Sequence, residues 1–470
     1  MVVFGMDKID RKIAHLLHRM GFGFSPADIR DYGRMRLEDS ISRMFSDSRK
    51  IQFLTTLPDP RPEEGEVSNL GALKLILRSR EDLRVLNSAW LDRMARTPAF
   101  LREKMTFFWH DHFATNVPFA YLMQVQNNTL RKHALGSFRE LLHAMAKDPA
   151  MIIYLNNQQN KKKHPNENFA REVMELFTLG EGHYTENDIK EAARAFTGFQ
   201  VDMRGEFRFN ADDHDDGEKT FLGKTGRFRG EDIIDILLEQ ERTAYFIAEK
   251  LYHWFVNAEQ PDQEIISVLA GRFRDSGYQI GDLVLDICSS SFFYEEKNMG
   301  VRVKSPVELI ASQFRLLRVQ PKRPKPVLQI QRALGQVLFF PPNVAGWRGG
   351  RAWIDASSML LRMKLPLIFY RGAEHPIGAR VDFEDQESEA GSAGGKRFMQ
   401  RADWKALYKA LPSELNREQR IEYMMSLLLT TPHPDEPGKI LSAFGRPRDV
   451  FEEMRDITAV ILSCPEYQLC

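Results

Sequence analysis

The stretch HPNENFAREVMELFTLGEGHYTENDIKEAARAFTG, residues 164–198, contains two helical patterns separated by a short glycine turn. In the first pattern, apolar residues recur at helical spacing, as at Phe169 and Val173. After the turn, Thr185 followed by Asp188 resembles a capping box, which marks the start of a helix. The stretch therefore predicts a helix, a turn and a second helix, and it sets the expectation of a mainly α fold.

The same stretch is dense in polar side chains. On the first helix, Asn168, Glu172 and Glu175 share one stripe, and Glu167 and Arg171 form a pair four residues apart. A solvent-exposed helix face is the structural interpretation of such a stripe. Asparagines are poor helix formers, however, so their presence favours a functional role. The candidate catalytic residues here are Glu167, Arg171, Glu172, Glu175 and His183, and the candidate substrate contacts are Asn166 and Asn168.

Composition restricts the class of function. The 470 residues include 65 basic and 65 acidic side chains, so the formal net charge is zero. Because no overall field attracts nucleic acid or an anionic membrane, we expect neither as a partner. Three irregularly spaced cysteines predict neither a disulfide framework nor a cysteine metal cage. With no apolar run long enough to span a bilayer and no signal peptide, the sequence predicts a cytoplasmic chain without a membrane span.

A second group of polar residues lies in PAFLREKMTFFWHDHFATN, residues 98–116. His110 and His112 are candidate metal ligands, and Asn116 is a candidate substrate contact. On a continuous helix the two imidazoles diverge by roughly 200°, so both reach one ligand only if the helix ends near Asp111. The structural alternative is a buried histidine on an aromatic face beside an exposed one.

Residues 205–230, GEFRFNADDHDDGEKTFLGKTGRFRG, depart from helical spacing and predict a loop or a small hairpin. His214 and Asp215 are candidate metal ligands, and Lys219 is a candidate catalytic residue. An EF-hand calcium loop is excluded because the ligand spacing and the terminal glutamate are wrong. The structural alternative is a hydrophilic loop tip.

A third stretch, FFPPNVAGWRGGRAWIDASSMLLR at residues 339–362, predicts a rigid irregular loop followed by a helix. A structural corner that docks its tryptophans would explain the composition. The loop is also long enough to form the wall of a pocket. Asn343, Trp347 and Trp353 are therefore candidate substrate contacts.

Helical patterns dominate the remaining sequence, including one amphipathic pattern over residues 128–146. We predict a mainly α fold, with many helices around a single core, long irregular loops and at most a small β-hairpin. Residues 1–380 are expected to form the core with the site. Residues 381–400, which are acidic and glycine-rich, are expected to form a flexible insertion. Residues 401–470 are expected to form closing helices that pack on the core.

Three blocks, FWHDHFATN, residues 166–199 and residues 339–362, together resemble the bacterial domain-of-unknown-function family 1800. The resemblance extends from HLLHRMGFGFSPADI near the start to LSCPEYQ near the end. The residues that match the family pattern are His110, Asp111, His112, Asn116, Asn166, Glu167, Asn168, Arg171, Glu172, Glu175, His183, His214, Asp215, Gly217, Lys219, Pro341, Pro342, Asn343, Gly346, Trp347 and Trp353. Where the family usually has Asn, this sequence has Asp355.

The resemblance implies a mostly helical architecture and brings no established activity. Many relatives look exported and are encoded beside a sulfatase- or phosphatase-like family. The resemblance therefore implies a sulfatase- or phosphatase-like protein partner.

The first functional hypothesis is a metal-dependent enzyme, an oxidoreductase or a hydrolase acting on a small molecule or a polysaccharide. Helical frameworks can hold inward carboxylates and imidazoles around first-row metals that activate water or dioxygen. The predicted cofactor is a divalent transition metal, namely iron, manganese, zinc or copper. Its expected ligands are His110, His112, His214 and Asp215, while Glu167, Glu172 or Glu175 completes the site or acts as base and Arg171 orients an anion.

Two alternatives remain open. One is a metal-free acid–base or transfer enzyme for a sugar- or phosphate-bearing substrate, with Glu167 and Glu172 as acid and base and with Arg171 and Lys219 holding charge. The other is a non-catalytic scaffold or binding protein, in which the polar residues form a buried hydrogen-bond network and the tryptophan loop docks a partner.

Overall fold

A computed structural model describes residues 8–60, 69–319, 321–371, 375–377, 391–393, 402–431 and 448–470. These residues contain twenty α-helices, which confirms the mainly α class. The first ten helices precede the hairpin region. They are α1 Arg11–Met20, α2 Pro26–Tyr32, α3 Leu37–Asp47, α4 Asn69–Arg96, α5 Phe100–His112, α6 Ala120–His133, α7 Phe138–Ala146, α8 Pro149–Tyr154, α9 Asn168–Glu175 and α10 Glu186–Ala195.

The other ten helices follow residue 226, where the second hairpin ends. They are α11 Gly230–Glu239, α12 Glu241–Phe255, α13 Gln263–Asp275, α14 Ile280–Ser289, α15 Pro306–Leu317, α16 Pro324–Leu334, α17 Ala356–Pro366, α18 Trp404–Ala410, α19 Arg417–Leu428 and α20 Val450–Ser463. A π-helical turn, Leu367–Arg371, extends α17. No helix in the described ranges is long and apolar enough to cross a membrane.

Strands form three two-stranded antiparallel pairs in the described residues, whereas the sequence predicts at most one small hairpin. The pairs are β1 Phe199–Val201 with β2 Phe207–Phe209, β3 Lys219–Phe221 with β4 Lys224–Gly226, and β5 His375–Ile377 with β6 Gly391–Ala393. The turn between β3 and β4 consists of Leu222 and Gly223, both at positive φ, as a two-residue hairpin turn requires.

Local capping explains where several helices begin. Thr185 and Asp188 form the predicted capping box of α10 by exchanging side-chain and backbone hydrogen bonds. Ser305 and Glu308 do the same at the start of α15. The single helix predicted over residues 128–146 is wrong, because α6 ends at His133 and Ser137 caps a separate α7.

One hydrophobic cluster extends through the chain from Ile9 to Tyr467. Helix α5 lies within it, since every residue of α5 except Asp111 is buried. Helices α1, α3, α4 and α6 pack against α5. A helix buried on all sides is the centre of a core rather than an amphipathic surface element.

The C-terminal helices pack on the rest of the fold. Helix α18 contacts α2 and α15, and α20 contacts α17. The final residues pair with the segment before α15, where Lys304 donates its amide to Gln468 and Cys470 donates its amide to Arg302. Most of the predicted acidic insertion, residues 381–400, lies outside the described residues.

Candidate functional site

A cavity of about 690 Å³ lies beside the C-terminal end of α5. Its walls come from α5, α12, the segment before α15, the irregular loop before α17 and the C-terminal segment. The lining residues are Phe108, Asp111, His112, Lys250, His253, Trp254, Ala258, Glu259, Val301, Arg302, Val303, Ser305, Gln336, Ala345, Trp347, Gly349, Gly350, Arg351, Trp353 and Leu469. A large cavity with aromatic walls and a few convergent polar groups is the usual form of a small-molecule site.

Lys250, from α12, is hydrogen-bonded at the wall of this cavity. Its Nζ donates to Nδ1 of His112 at 3.2 Å and to the backbone carbonyl of Leu176 at 3.1 Å. Burial, followed by the charge of Lys250, lowers the pKa of His112 well below its usual value, so the imidazole is neutral and accepts at Nδ1. Burial also lowers the pKa of Lys250 to about 8, while Asp111 acts in the opposite direction.

Asp111 joins the cavity to the irregular loop. Its Oδ1 accepts the backbone N–H of Trp347 at 2.9 Å. Burial raises the pKa of Asp111 to about 6, against the effects of the Trp347 amide, Lys250 and Arg302. The preceding Gly346 has φ +80°, and a Cβ there would lie 2.3 Å from Oδ1 of Asp111. Only glycine therefore lets the loop approach this carboxylate.

The aromatic wall contains two buried indole N–H groups. The indole Nε1 atoms of Trp254 and Trp347 are buried and have no partner among the described residues. The Arg302 guanidinium lies 4.5 Å from the centre of the Trp254 ring and pairs with Glu308. Buried N–H groups without a protein partner are costly, which makes them natural donors to a bound ligand.

The two histidines of the HDH motif contact different sides of the fold. His110 is buried, and its Nε2 accepts the backbone N–H of Phe339 at 3.1 Å. Phe339 has φ +70°, a left-handed conformation that a bulky residue rarely adopts. Burial lowers the pKa of His110 to about 3, so the ring is neutral. His110 thus supports the corner that begins the irregular loop, whereas His112 contacts Lys250.

The block around His214 forms a separate cluster between the two hairpins. Nδ1 of His214 lies 2.9 Å from the Thr197 carbonyl oxygen. Asp215 forms an ion pair with Arg194 at 2.7 Å. Lys219 is buried and donates to the carbonyl oxygens of Asp215 and Gly217 at 2.5 and 2.9 Å. These contacts close the loop on itself, and neither His214, Asp215 nor Lys219 lines the cavity.

The polar stripe of residues 164–198 lies on the surface and apart from the cavity lining. Arg171 pairs with Glu167 at 3.4 Å and with Glu186 at 3.0 Å. Glu175 accepts the hydroxyl of Tyr184 at 2.7 Å. Burial, followed by the charge of Glu175, raises the pKa of Glu172.

The other predicted residues of this stretch are also surface groups. His183 and Asn168 are exposed, and Asn168 donates its side-chain amide to the Leu155 carbonyl at 3.3 Å. Oδ1 of the partly buried Asn166 accepts the Asn168 amide at 3.0 Å. Asn166 thus makes a local turn contact at the start of α9.

Of the other predicted substrate contacts, Trp347 and Trp353 line the cavity. Asn116 and Asn343 are exposed and do not line it. Oδ1 of Asn343 instead accepts the Ala345 amide at 3.0 Å and shapes the loop.

The sequence pattern does not single out Lys250, Trp254, Arg302 or Gln336, although all four line the cavity. Lys250 and Trp254 are four residues apart and therefore share a face of α12. This spacing is the one feature of the sequence that could have linked these two residues to a common site. Arg302 and Gln336 reach the cavity only through the tertiary fold.

The imidazoles predicted as ligands use different protein partners. Within the described part of the chain, no three His, Cys, Asp or Glu side chains come together in a way that could hold a metal ion. The divalent metal stays a prediction, and elemental analysis tests it.

The whole chain was compared with known proteins. No curated protein and no solved structure was found to match it. A family model, described as protein of unknown function (DUF1800), matches residues 15–469. Because this match covers nearly the whole chain, the protein belongs to the DUF1800 family.

Proposed function

We propose that this protein is an enzyme that carries out acid–base chemistry on a small polar substrate in the cavity beside α5. The observation that carries the proposal is the hydrogen-bonded position of Lys250 between neutral His112 and the Leu176 carbonyl, in a cavity that Asp111 also lines. A titratable group that lines a cavity and has a perturbed pKa is a candidate functional group.

The two charged groups suit opposite roles near neutral pH. Lys250, with its pKa lowered to about 8, is mostly an ammonium group that can donate a proton. Asp111, with its pKa raised to about 6, is mostly a carboxylate that can accept one. General acids and bases work best when their pKa values lie close to the operating pH. His112 orients Lys250 through Nδ1.

The wall of the cavity supports a substrate with several oxygen atoms. Trp254 and Trp347 offer ring faces and unpartnered indole N–H donors, a combination that suits a sugar or a phosphate-bearing compound. Lys250 adds positive charge to the same wall, whereas Arg302, which also lines it, is paired with Glu308.

The first test measures the pKa of Lys250 by acylation with a small reagent across a pH series, with mass spectrometry resolving each lysine. Exposed Lys405 is the matched control. We expect a midpoint near 8 for Lys250, below the value of about 10.4 for lysine in model peptides. Because Asp111 raises the pKa of Lys250, Asp111→Asn should lower the Lys250 midpoint further. Equal midpoints for the two lysines would contradict the proposal.

Ligand binding is tested on the same protein with a panel of monosaccharides and sugar phosphates, using calorimetry. Trp347→Phe keeps an aromatic face but removes the indole donor, so it should weaken binding of any sugar or sugar phosphate that binds the wild type.

The metal-dependent enzyme makes a different prediction. Elemental analysis would then find stoichiometric iron, manganese, zinc or copper that is lost in His112→Ala. In that case the His112 imidazole would bind a metal ion instead of accepting a hydrogen bond from Lys250.

A further inference from the structure

We propose that the substrate of this cavity is a carbonyl compound, an aldehyde or a ketone, that Lys250 binds covalently as a Schiff base. This inference rests on the proposed function and adds to it a covalent role and a substrate class. Lysine amines in cavities form such adducts with carbonyl substrates when the amine is available as a nucleophile.

The hydrogen bonds of Lys250 determine where its lone pair lies. An ammonium group has three protons, and two of them are donated to Nδ1 of His112 and to the Leu176 carbonyl. The third proton is the one whose loss breaks neither hydrogen bond. The neutral amine therefore keeps both bonds, and its lone pair occupies the remaining tetrahedral position, away from both acceptors. Because Lys250 lines the cavity, a substrate bound there lies beside this amine.

The surroundings also suit the cation that results. A Schiff base of lysine retains a positive charge on nitrogen when it is protonated. Nζ of Lys250 lies 4.8 Å from the centre of the Phe246 ring, whose face attracts a cation. Asp111 lines the same cavity and carries the balancing negative charge.

The reaction needs no oxidant or reductant. Lys250 first loses its third proton, which a water molecule in the cavity carries to the Asp111 carboxylate. The amine nitrogen then forms a bond to the carbonyl carbon, the π electrons move to the oxygen, and a proton moves from nitrogen to that oxygen to give a carbinolamine. The nitrogen lone pair next forms the C=N bond while the C–O bond breaks, and the oxygen leaves as water with the proton returned by Asp111. One carbonyl group and one ammonium group thus give one iminium ion and one water.

The test is reductive trapping with cyanoborohydride on the full-length protein. The probes are pyruvate, glyoxylate, glyceraldehyde and dihydroxyacetone, and mass spectrometry measures the reduced adduct on each lysine. With at least one probe, we expect modification of Lys250 to saturate as the probe concentration rises. At low probe concentration it should exceed that of exposed Lys405 by roughly tenfold, because binding in the cavity raises the effective concentration of the carbonyl.

A variant checks the specificity of the adduct. Lys250→Arg retains the charge and cannot form an imine, so its adduct pattern should equal that of the wild type without the Lys250 site. The wild-type comparison of Lys250 with Lys405 stays informative even if this variant fails to fold.

The possible failures are distinguishable. If every probe modifies Lys250 no faster than Lys405, the Schiff base is overturned. An acylation midpoint near 8 for Lys250 would then leave the acid–base proposal standing without the covalent step. An ordinary midpoint would overturn both.

Discussion

Two of the four charged residues of helix α5, Lys104 and Asp111, lie about 10 Å apart along the helix axis, and their surroundings differ. Lys104 is fully buried and pairs with Glu308, which also accepts two hydrogen bonds from Arg302 at 2.8 and 3.0 Å. The backbone N–H of Ser305 adds a further donor to Glu308 at 2.8 Å. Although burial acts to raise it, Arg302 and Lys104 hold the pKa of Glu308 far below its usual range. In this cluster both cations, Lys104 and Arg302, are paired with the same carboxylate inside the protein.

At the other end of α5, the charges are not paired in this way. Within the described residues no ion pair joins Asp111 to Lys250, and Lys250 donates to a neutral imidazole and a carbonyl. Burial shifts the pKa values of Asp111 and Lys250 toward neutral pH. Neither charge has a close counterion that would offset the cost of its desolvation. A buried lysine thus contributes to stability where it is paired with a carboxylate, as Lys104 is. It remains available for chemistry where it has no such partner, as at Lys250.

The largest effect that this comparison predicts is on stability, for Glu308→Gln. The variant keeps the shape and the capping geometry but leaves Lys104 and Arg302 buried without an anion. We expect a loss of about 3–5 kcal/mol in the free energy of unfolding, measured by urea denaturation. The matched control is Glu296→Gln, which removes an exposed pair with Arg11 and should cost less than about 1 kcal/mol. A loss no larger than that of the control would remove the distinction between the two ends of α5.

Much of the fold is predictable because its signals are local. The capping boxes at Thr185 and Ser305 and the apolar spacing of their helices depend on residues a few positions apart, and the structure contains both. The division between α6 and α7 was not predictable from spacing, since the apolar pattern continues across Gly136 while Ser137 restarts the helix. The backbone amide of Phe138 donates to the carbonyl of Tyr278, a contact distant in sequence.

The candidate site was predictable only in part, for a physical reason. The many polar residues over 164–198 are a feature of composition, which the sequence shows directly. The pKa shifts of Asp111 and Lys250 result from burial, which depends on the tertiary fold. Trp347 could be selected because its loop has an unusual composition. Lys250 lies in an ordinary helical pattern, and its hydrogen bond to His112 joins residues 138 positions apart.

An intermediate effect is expected for the pH dependence of Lys250→Met. The pKa of Lys250 is about 8 in the folded state, against 10.5 for a lysine with no such surroundings, so the folded protein binds fewer protons than the unfolded chain between these values. The contribution of this group to the free energy of unfolding therefore rises with pH between about 8 and 10.5. Below about pH 8, the destabilisation caused by burying the ammonium group has its full value.

Methionine removes this titration. Relative to Lys250→Met, the wild type should gain about 1–2 kcal/mol in unfolding free energy between roughly pH 7 and 9.5. Lys250→Met also loses two hydrogen bonds, which lowers the free energy of unfolding by an amount that does not depend on pH. The slope of the stability difference against pH is therefore the quantity that tests the shifted pKa. Lys405→Met, at an exposed position, is the matched control. A flat difference for Lys250→Met would mean that the cavity does not shift the pKa of its lysine.

The smallest effect is expected on the surface stripe, where Arg171→Ala removes the pairs with Glu167 and Glu186. More than a third of the Arg171 side chain is exposed, and the side chain of Glu186 is 70% exposed. Water and salt screen such pairs, so the melting temperature should change by less than about 2 °C. Labelling of Lys250 by the carbonyl probes should not change either, because Arg171 does not line the cavity. If Arg171→Ala abolished that labelling while the melting temperature stayed the same, the stripe would belong to the site. The distinction between the ion-paired stripe and Lys250, which has no ion pair among the described residues, would then fail as a guide to where the chemistry occurs.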